Sequence, residues 1–236
     1  MRINADYAQR AASHGDRATW TTSPSAGVER RMLDRIGDEV ARATTIVRFA
    51  PGSAFPEHVH GGGEEYFVLE GDFVDEEGSH KAGTYVRNPA GSRHSPSAPE
   101  GATIFVKLNQ FAADDLLHVV VDASRWTGAL DESDAAVERL QLHAHGREVV
   151  RLEAWRENVK IDNWGHGGLE LLVLDGNIAE GGTIYGRYSW LRLPPHEPLV
   201  AQAGPGGVRM LVKSGHLAAP TRNGRDEASG EDPERP

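Results

Sequence analysis

The chain has 236 residues, a mass of 25.6 kDa, a formal net charge of −10 and a pI near 5.5, and it contains no cysteine. The missing thiols exclude disulfides, thiolate metal ligands and a cysteine nucleophile, which leaves histidine and carboxylate as the strong ligands. The acidic balance provides no basic footprint for nucleic acid or an anionic membrane, and 39% hydrophobic with 25% charged residues is the mix of an ordinary soluble protein.

In chain order, residues 1–22 read as a polar arm, with a helical turn expected around Tyr7-Ala8-Gln9-Arg10. The arm holds no apolar core of secretory length, and no later run approaches a membrane span, so a cytoplasmic location without a membrane partner is expected. VERRMLDRIGDEVAR follows at 28–42, where Val28, Met32, Leu33, Ile36 and Val40 suit a helical stripe as well as a strand. The same stretch recurs without a gap as VERLQLHAHGREVVR at 137–151. There the apolar residues fit a helix poorly, and Gly37 and Gly146 fall where a hairpin turns, so both copies are expected to be strands.

Further pairs extend the repeat: YFVLEGDF at 66–73 with LLVLDGNI at 171–178, YVRNPAG at 85–91 with WLRLPPH at 190–196, and FVKL at 105–108 with LVKS at 211–214. The expected organisation is therefore an arm at 1–22, a first unit at 23–112, a linker at 113–135, a second unit at 136–216 and an acidic tail at 217–236. The linker contains Asp131-Glu132-Ser133-Asp134, and the tail is rich enough in charge, Gly and Pro to predict disorder. Short β-runs between Gly, Pro and Asn punctuation make the fold class all-β.

Candidate chemistry concentrates in the first unit. His58 and His60 alternate on an extended strand, so both side chains leave the same face. Along a straight strand Glu64 would stand roughly 13 Å from His60, far beyond a metal bond of about 2 Å. The chain must turn between them, and Gly61-Gly62-Gly63 supplies the turn. Glu64 then opens a return strand with Tyr66 and Val68 on its face, and His94 comes from a more distant strand beyond Pro89-Ala90-Gly91. Three imidazoles and a carboxylate suit a borderline divalent ion (Fe(II), Zn, Mn, Co, Ni or Cu(II)) better than Ca or Mg.

The spacing Gly52-x5-His58-x-His60-x3-Glu64-x6-Gly71 resembles the first cupin motif in full. Gly83-x5-Pro89-x-Gly91-x2-His94 resembles the second, except that its terminal Asn is Ala98 here. The resemblance implies a double-stranded β-barrel (jelly roll) with a metal held by His58, His60, Glu64 and His94, and two tandem barrels forming a pseudo-dimer. Within the cupins, AGVERRMLDRIG, TYVRNPAGSRHSP and the two-copy layout look like the ChrR-like cupins over roughly residues 20–215. That family includes the metal-binding lobe of a zinc-containing anti-sigma factor and relatives similar to dioxygenases that cleave acetylacetone or dihydroxyacetophenones.

The resemblance therefore implies a mononuclear non-haem Fe(II) dioxygenase acting on a small diketone or hydroxyaryl ketone with O2. The alternative is a zinc-binding sensor. A sigma factor is not expected as partner, because only about 22 residues precede the first barrel and the zinc-binding cysteines are missing. A homodimer is expected from the way cupins pair their sheets. Phe55, Tyr66, Val68 and Tyr85 are the candidate pocket residues.

In the second unit Trp164 aligns with His58, His166 with His60, and Leu199 with His94. Glu170 matches Glu64 if the one-residue deletion falls in the following strand, whereas strand register pairs Leu169 with it. This unit is expected to be metal-free, a scaffold or a second pocket lined by Trp164 and Trp190. His143 and His145 mimic a ligand pair and read as a solvated hairpin edge; His14, His80, His118, His196 and His216 read as surface or turn residues. Glu65 faces away from Glu64 and is expected to be exposed.

Overall fold

The computed structural model describes residues 1–15, 17–38, 40–128, 135–164 and 167–217, with Asn163 and Trp164 described by their backbone alone. The acidic run at 131–134, His166 and the tail from 218 lie outside the described residues.

The described residues are all β. Three short strands, β1 (Arg2–Ile3), β2 (Ala11–Ser13) and β3 (Thr21–Thr22), precede β4 (Val28–Ile36) and β5 (Arg42–Phe49). The first unit continues with β6 (Ser53–Ala54), β7 (His58–Val59), β8 (Glu64–Asp75), β9 (Gly78–Lys81), β10 (Thr84–Asn88), β11 (Arg93–His94), β12 (Ser97–Ala98) and β13 (Ala102–Leu108). After β14 (Val119–Asp122) the second unit holds β15 (Val137–His145), β16 (Glu148–Trp155), β17 (Lys160–Trp164), β18 (Leu169–Glu180), β19 (Thr183–Tyr185), β20 (Trp190–Leu193) and β21 (Leu199–Ser214). At Tyr7-Arg10 the expected helical turn is a single reversal, with Gln9 N–H donating to Asp6 C=O.

The two units repeat one topology. The first sheet runs β1-β4-β5-β13-β8-β10-β14 and the second β15-β16-β21-β18-β20-β2. Their outermost strands are exchanged: β14, from the segment leading into the second unit, pairs with β10, while β2, from the arm leading into the first, pairs with β20. The repeat reaches backbone detail. Gly71 and Gly176 have φ of +71° and +72°, and a Cβ on either would lie 2.1 Å from the carbonyl oxygen of Gly101 or Gly207.

Alternation along the strands sorts the apolar residues into three cores. Val28, Val47, Phe49, Tyr66, Val68, Phe73, Ile104 and Val106 face the interior of the first barrel. Trp155, Leu169, Leu171, Leu193, Leu199, Met210 and Val212 fill that of the second. Leu33, Ile46, Phe67, Tyr85, Phe105, Leu142, Leu152, Leu172, Trp190 and Leu211 pack between the two. The outer face of each inner sheet is therefore dry.

That layer corrects several expectations. Glu65 does face away from Glu64, but it faces the other barrel and is 3% exposed. Its carboxylate accepts from Arg87 (2.8 Å), Lys213 (2.5 Å) and the Tyr85 hydroxyl (2.6 Å). Register places Glu170 of the second barrel as its counterpart, accepting from Lys107, from the Trp190 indole at 2.7 Å and from His216 at 3.2 Å. His216 and His80 are likewise buried rather than surface residues, His80 bonding Asp75 at 3.0 Å. His143 is not a solvated edge either. It is buried, with Nε2 2.9 Å from Asp115, because the β15 hairpin lies against the first unit.

Candidate metal centre

Local chain geometry brings four side chains to one point. β7 and β11 form a two-stranded ribbon in which His94 pairs directly with His58. His60 is clamped to the same ribbon, its N–H donating to Ser92 C=O and its C=O accepting from Gly91 N–H. Gly63 then turns the chain with φ of +79°, against the Phe111 ring, which lies 2.5 Å from where a Cβ would stand. Glu64 emerges at the start of β8 between Asn88 and Leu108. The position of the missing Asn, Ala98, is buried, and its C=O holds the turns at Gly52 and Gly101 through their N–H groups.

One ligand atom from each of His58, His60, Glu64 and His94 lies within 4.8 Å of the others. Glu64 Oε1 is 3.3 Å from His94 Nε2 and 3.5 Å from His60 Nε2. Each imidazole is oriented from behind: His58 Nδ1 is 3.0 Å from Pro56 O, His60 Nδ1 2.9 Å from Ser92 Oγ, and His94 Nδ1 3.3 Å from Asp75 Oδ2. His60 Nε2, His94 Nε2 and Glu64 Oε1 are buried and lack a hydrogen-bond partner. Buried polar atoms are rarely left so, and three converging orphans from imidazole and carboxylate fit a divalent ion.

The electrostatics agree. Burial, with His94 and His58 adding to it, pushes the pKa of His60 down to about 4. Burial raises the Glu64 carboxyl above its ordinary value even though His94 and His58 oppose it. For His94 burial acts downward, but the hydrogen bond to Asp75 and the field of Glu64 outweigh it and the pKa is raised. Asp75 joins His94 to the buried His80 and thereby fixes which His94 nitrogen points inward. Asp75→Asn should lower metal affinity roughly 10- to 100-fold, measured by competition with a chromogenic chelator, with all four ligands still present.

The cluster opens onto a cavity of about 370 Å³ lined by Phe49, Phe55, Phe73, Ile104, Val106 and Leu108, with Arg30, Arg35, Thr45 and Asn109 among its polar members. Of the expected pocket residues, Phe55 lines it. Tyr66 and Val68 lie behind it in the barrel core, where the Tyr66 hydroxyl is 3.5 Å from Asp75. Tyr85 is placed elsewhere, since its register partner is Phe67 and both face the second barrel. Arg30 and Arg35 were missed from sequence. The bulge between Met32 and Asp34 that swings Arg35 to the cavity side breaks simple alternation.

Among the described residues the second barrel shows no equivalent cluster. Trp164 pairs with Leu199 as His58 pairs with His94, and Leu169 occupies the Glu64 position, so Glu170 belongs to the interface and not to the interior of the second barrel. Trp190 is also in the interface, and Leu169 and Leu199 sit in a packed interior. A second group, Asp115, His143 and Glu148, has ligand-like spacing. Arg87 and Lys213 already lie against its carboxylates and would repel a cation.

Residues 8–112 match the family model of the ChrR Cupin-like domain. No curated protein sequence matches the chain. Among solved structures, a candidate dioxygenase from Nostoc punctiforme PCC 73102 superposes with a TM-score of 0.72 at 17% identity, covering 91% of this chain and 85% of that one. The bacterial pirin YhhW of Escherichia coli, in complex with nickel(II), gives 0.64 at 13% identity, covering 87% and 99%. The salicylate 1,2-dioxygenase of Pseudaminobacter salicylatoxidans gives 0.63 at 12% identity, covering 90% and 85%. Among the described residues no helix is long and apolar enough to cross a membrane. Motif, ligand geometry, repeat and structural likeness together give this chain a two-barrel cupin fold, whose residues 8–112 match the ChrR Cupin-like domain.

Proposed function

We propose that the first barrel is the centre of a mononuclear, non-haem metal-dependent dioxygenase acting on a small diketone-like or hydroxyaryl-ketone-like substrate. The observation that carries this reading is the convergence of three partnerless buried ligand atoms beside a 370 Å³ cavity with largely aromatic and aliphatic walls. Four protein ligands on an octahedral ion leave two positions, enough for a chelating enolate or for substrate plus O2. Fe(II) is the metal we favour; a bound ion supplies Lewis-acid polarisation and a meeting point for the two reactants.

The chain's own residues do the rest. Pro56, Ser92 and Asp75 hold the three imidazoles with their Nε2 edges turned inward, so little reorganisation accompanies loading. Glu64 contributes a negative charge that burial would otherwise protonate, which favours a cation beside it. Phe49, Phe55 and Phe73 exclude water from the reacting end of the cavity. A zinc-binding regulatory cupin would use the same ligands, but the open apolar cavity favours a substrate.

Elemental analysis of protein purified without chelators, followed by oxygen-electrode assays with acetylacetone and dihydroxyacetophenone, tests the proposal. About one iron per chain with uptake that chelation abolishes supports it. One tightly held zinc, with no uptake even after anaerobic iron loading, overturns it in favour of the sensor.

Metal content should also depend on pH with a definite sign. Only neutral imidazole ligates, so protons compete from the acid side. His94, with its raised pKa, takes a proton before His60, whose value is about 4. Stepwise dialysis should therefore show metal lost as pH falls below about 6, where histidine charges, and full retention at higher pH.

A further inference from the structure

Arg30 and Arg35 stand on β4, three strand positions from the Glu64 strand in the order β4-β5-β13-β8, and both line the cavity that the metal ligands open into. Both are half-buried, and among the described residues neither guanidinium forms an ion pair with a carboxylate; Arg35 Nη2 donates to the carbonyl oxygen of Asp38 in the adjoining turn, which leaves the rest of its fork for a ligand. Elsewhere in the interior the chain neutralises its cations: Arg87, Arg192, Lys107 and Lys213 each meet a carboxylate. Among the described residues the only carboxylate lining the cavity is Glu64.

Among the described residues two arginines, joined by a divalent ion when one is bound, stand against one glutamate and make the cavity positive, in a protein whose net charge is −10. Burial and the field of Arg35 hold the Arg30 guanidinium below its ordinary pKa, the direction expected of a cation without a counterion. Arginine's planar fork matches a carboxylate with two parallel hydrogen bonds. Both side chains project from the same strand, so one anionic group could be held by either or shared by both.

We propose that the substrate is a small carboxylate-bearing oxo or hydroxy compound, whose oxygen pair meets the metal while its carboxylate is held by Arg30 and Arg35. This rests on the metal-centred reading above and narrows it from neutral diketones to anionic ones. An enolate plus a carboxylate brings two negative charges into a site with an excess of positive charge.

A matched pair of probes tests the idea by binding alone. Acetylacetone and acetopyruvate share the chelating 1,3-dicarbonyl and differ by the carboxylate. Their dissociation constants are measured by calorimetry on full-length protein loaded with Co(II) under anaerobic conditions, for wild type, Arg30→Gln, Arg35→Gln and the charge-retaining Arg30→Lys. We expect acetopyruvate to bind at least tenfold more tightly to wild type, Arg30→Gln to remove most of that preference, and Arg30→Lys to restore part of it.

If both compounds bind wild type equally, the anion site is wrong while the metal centre stands. If the preference survives both glutamine variants, the carboxylate is held elsewhere and the proposal falls. If wild type takes up no metal, the metal centre itself fails and this inference falls with it. Circular dichroism and metal stoichiometry of each variant separate lost binding from lost folding.

Discussion

Glu65→Ala is expected to cost about 3–5 kcal/mol of stability, the usual effect of breaking a buried ion pair by removing one partner, and to lower Tm on the order of 10 °C. The residue sits between the barrels at 3% exposure, with Arg87 and Lys213 on its two oxygens and the Tyr85 hydroxyl donating alongside. Alanine leaves two cations in a dry layer, and Asp115 and Glu148 compensate for Arg87 and Lys213 only in part. Thermal unfolding of the variant checks the magnitude; a loss below about 1 kcal/mol, the range of exposed pairs, would show that water reaches this layer. Burial alone would raise the Glu65 pKa, but Lys213, Arg87 and Lys107 bring it down to about 2. A depressed carboxylate stabilises the fold above its unfolded value and loses that contribution as pH falls, here from about 4.5 towards 2. Acid denaturation of wild type should therefore begin in this window, and Glu65→Ala should show a weaker pH dependence across it.

The second large effect concerns the metal and not the fold. His94→Ala should reduce bound metal from about one per chain to under a tenth, while the metal-free variant unfolds within about 2 kcal/mol of metal-free wild type. The second barrel carries Leu199 at the equivalent register and packs it in an apolar interior, so this architecture does not require a histidine at that position. Deleting the ring also leaves Asp75 its bond to His80, which limits the polar cost. Metal analysis and calorimetry of the same preparations decide the matter. Collapse of the metal-free variant would mean that the His94 ring itself holds the first barrel together.

The ligand set was legible in the sequence because its geometry is local. HxH alternation, a glycine turn and a returning glutamate fix three donors within seven residues. The internal repeat decided strand against helix at Val28–Ile36, where the first copy alone was ambiguous. What lay beyond reach was the destination of the opposite strand faces. Alternation says that Glu65 and Tyr85 point away from their neighbours, but it cannot say whether water or a second barrel lies there. The same gap hid His143 and His216, each buried against a carboxylate from a distant element, and His80, buried against Asp75 of its own hairpin. Arg30 and Arg35 escaped notice for a different reason, since a bulge resets the phase of the strand between them.

The exchange of β2 and β14 bears on how the polypeptide is made. Residues 11–13 leave the ribosome well before their strand partners at 190–192 are synthesised. The leading segment must wait without its final neighbour, and the far barrel keeps an open edge until that wait ends, the condition that invites pairing between molecules. Loss of residues 11–13 would thus injure the second barrel first.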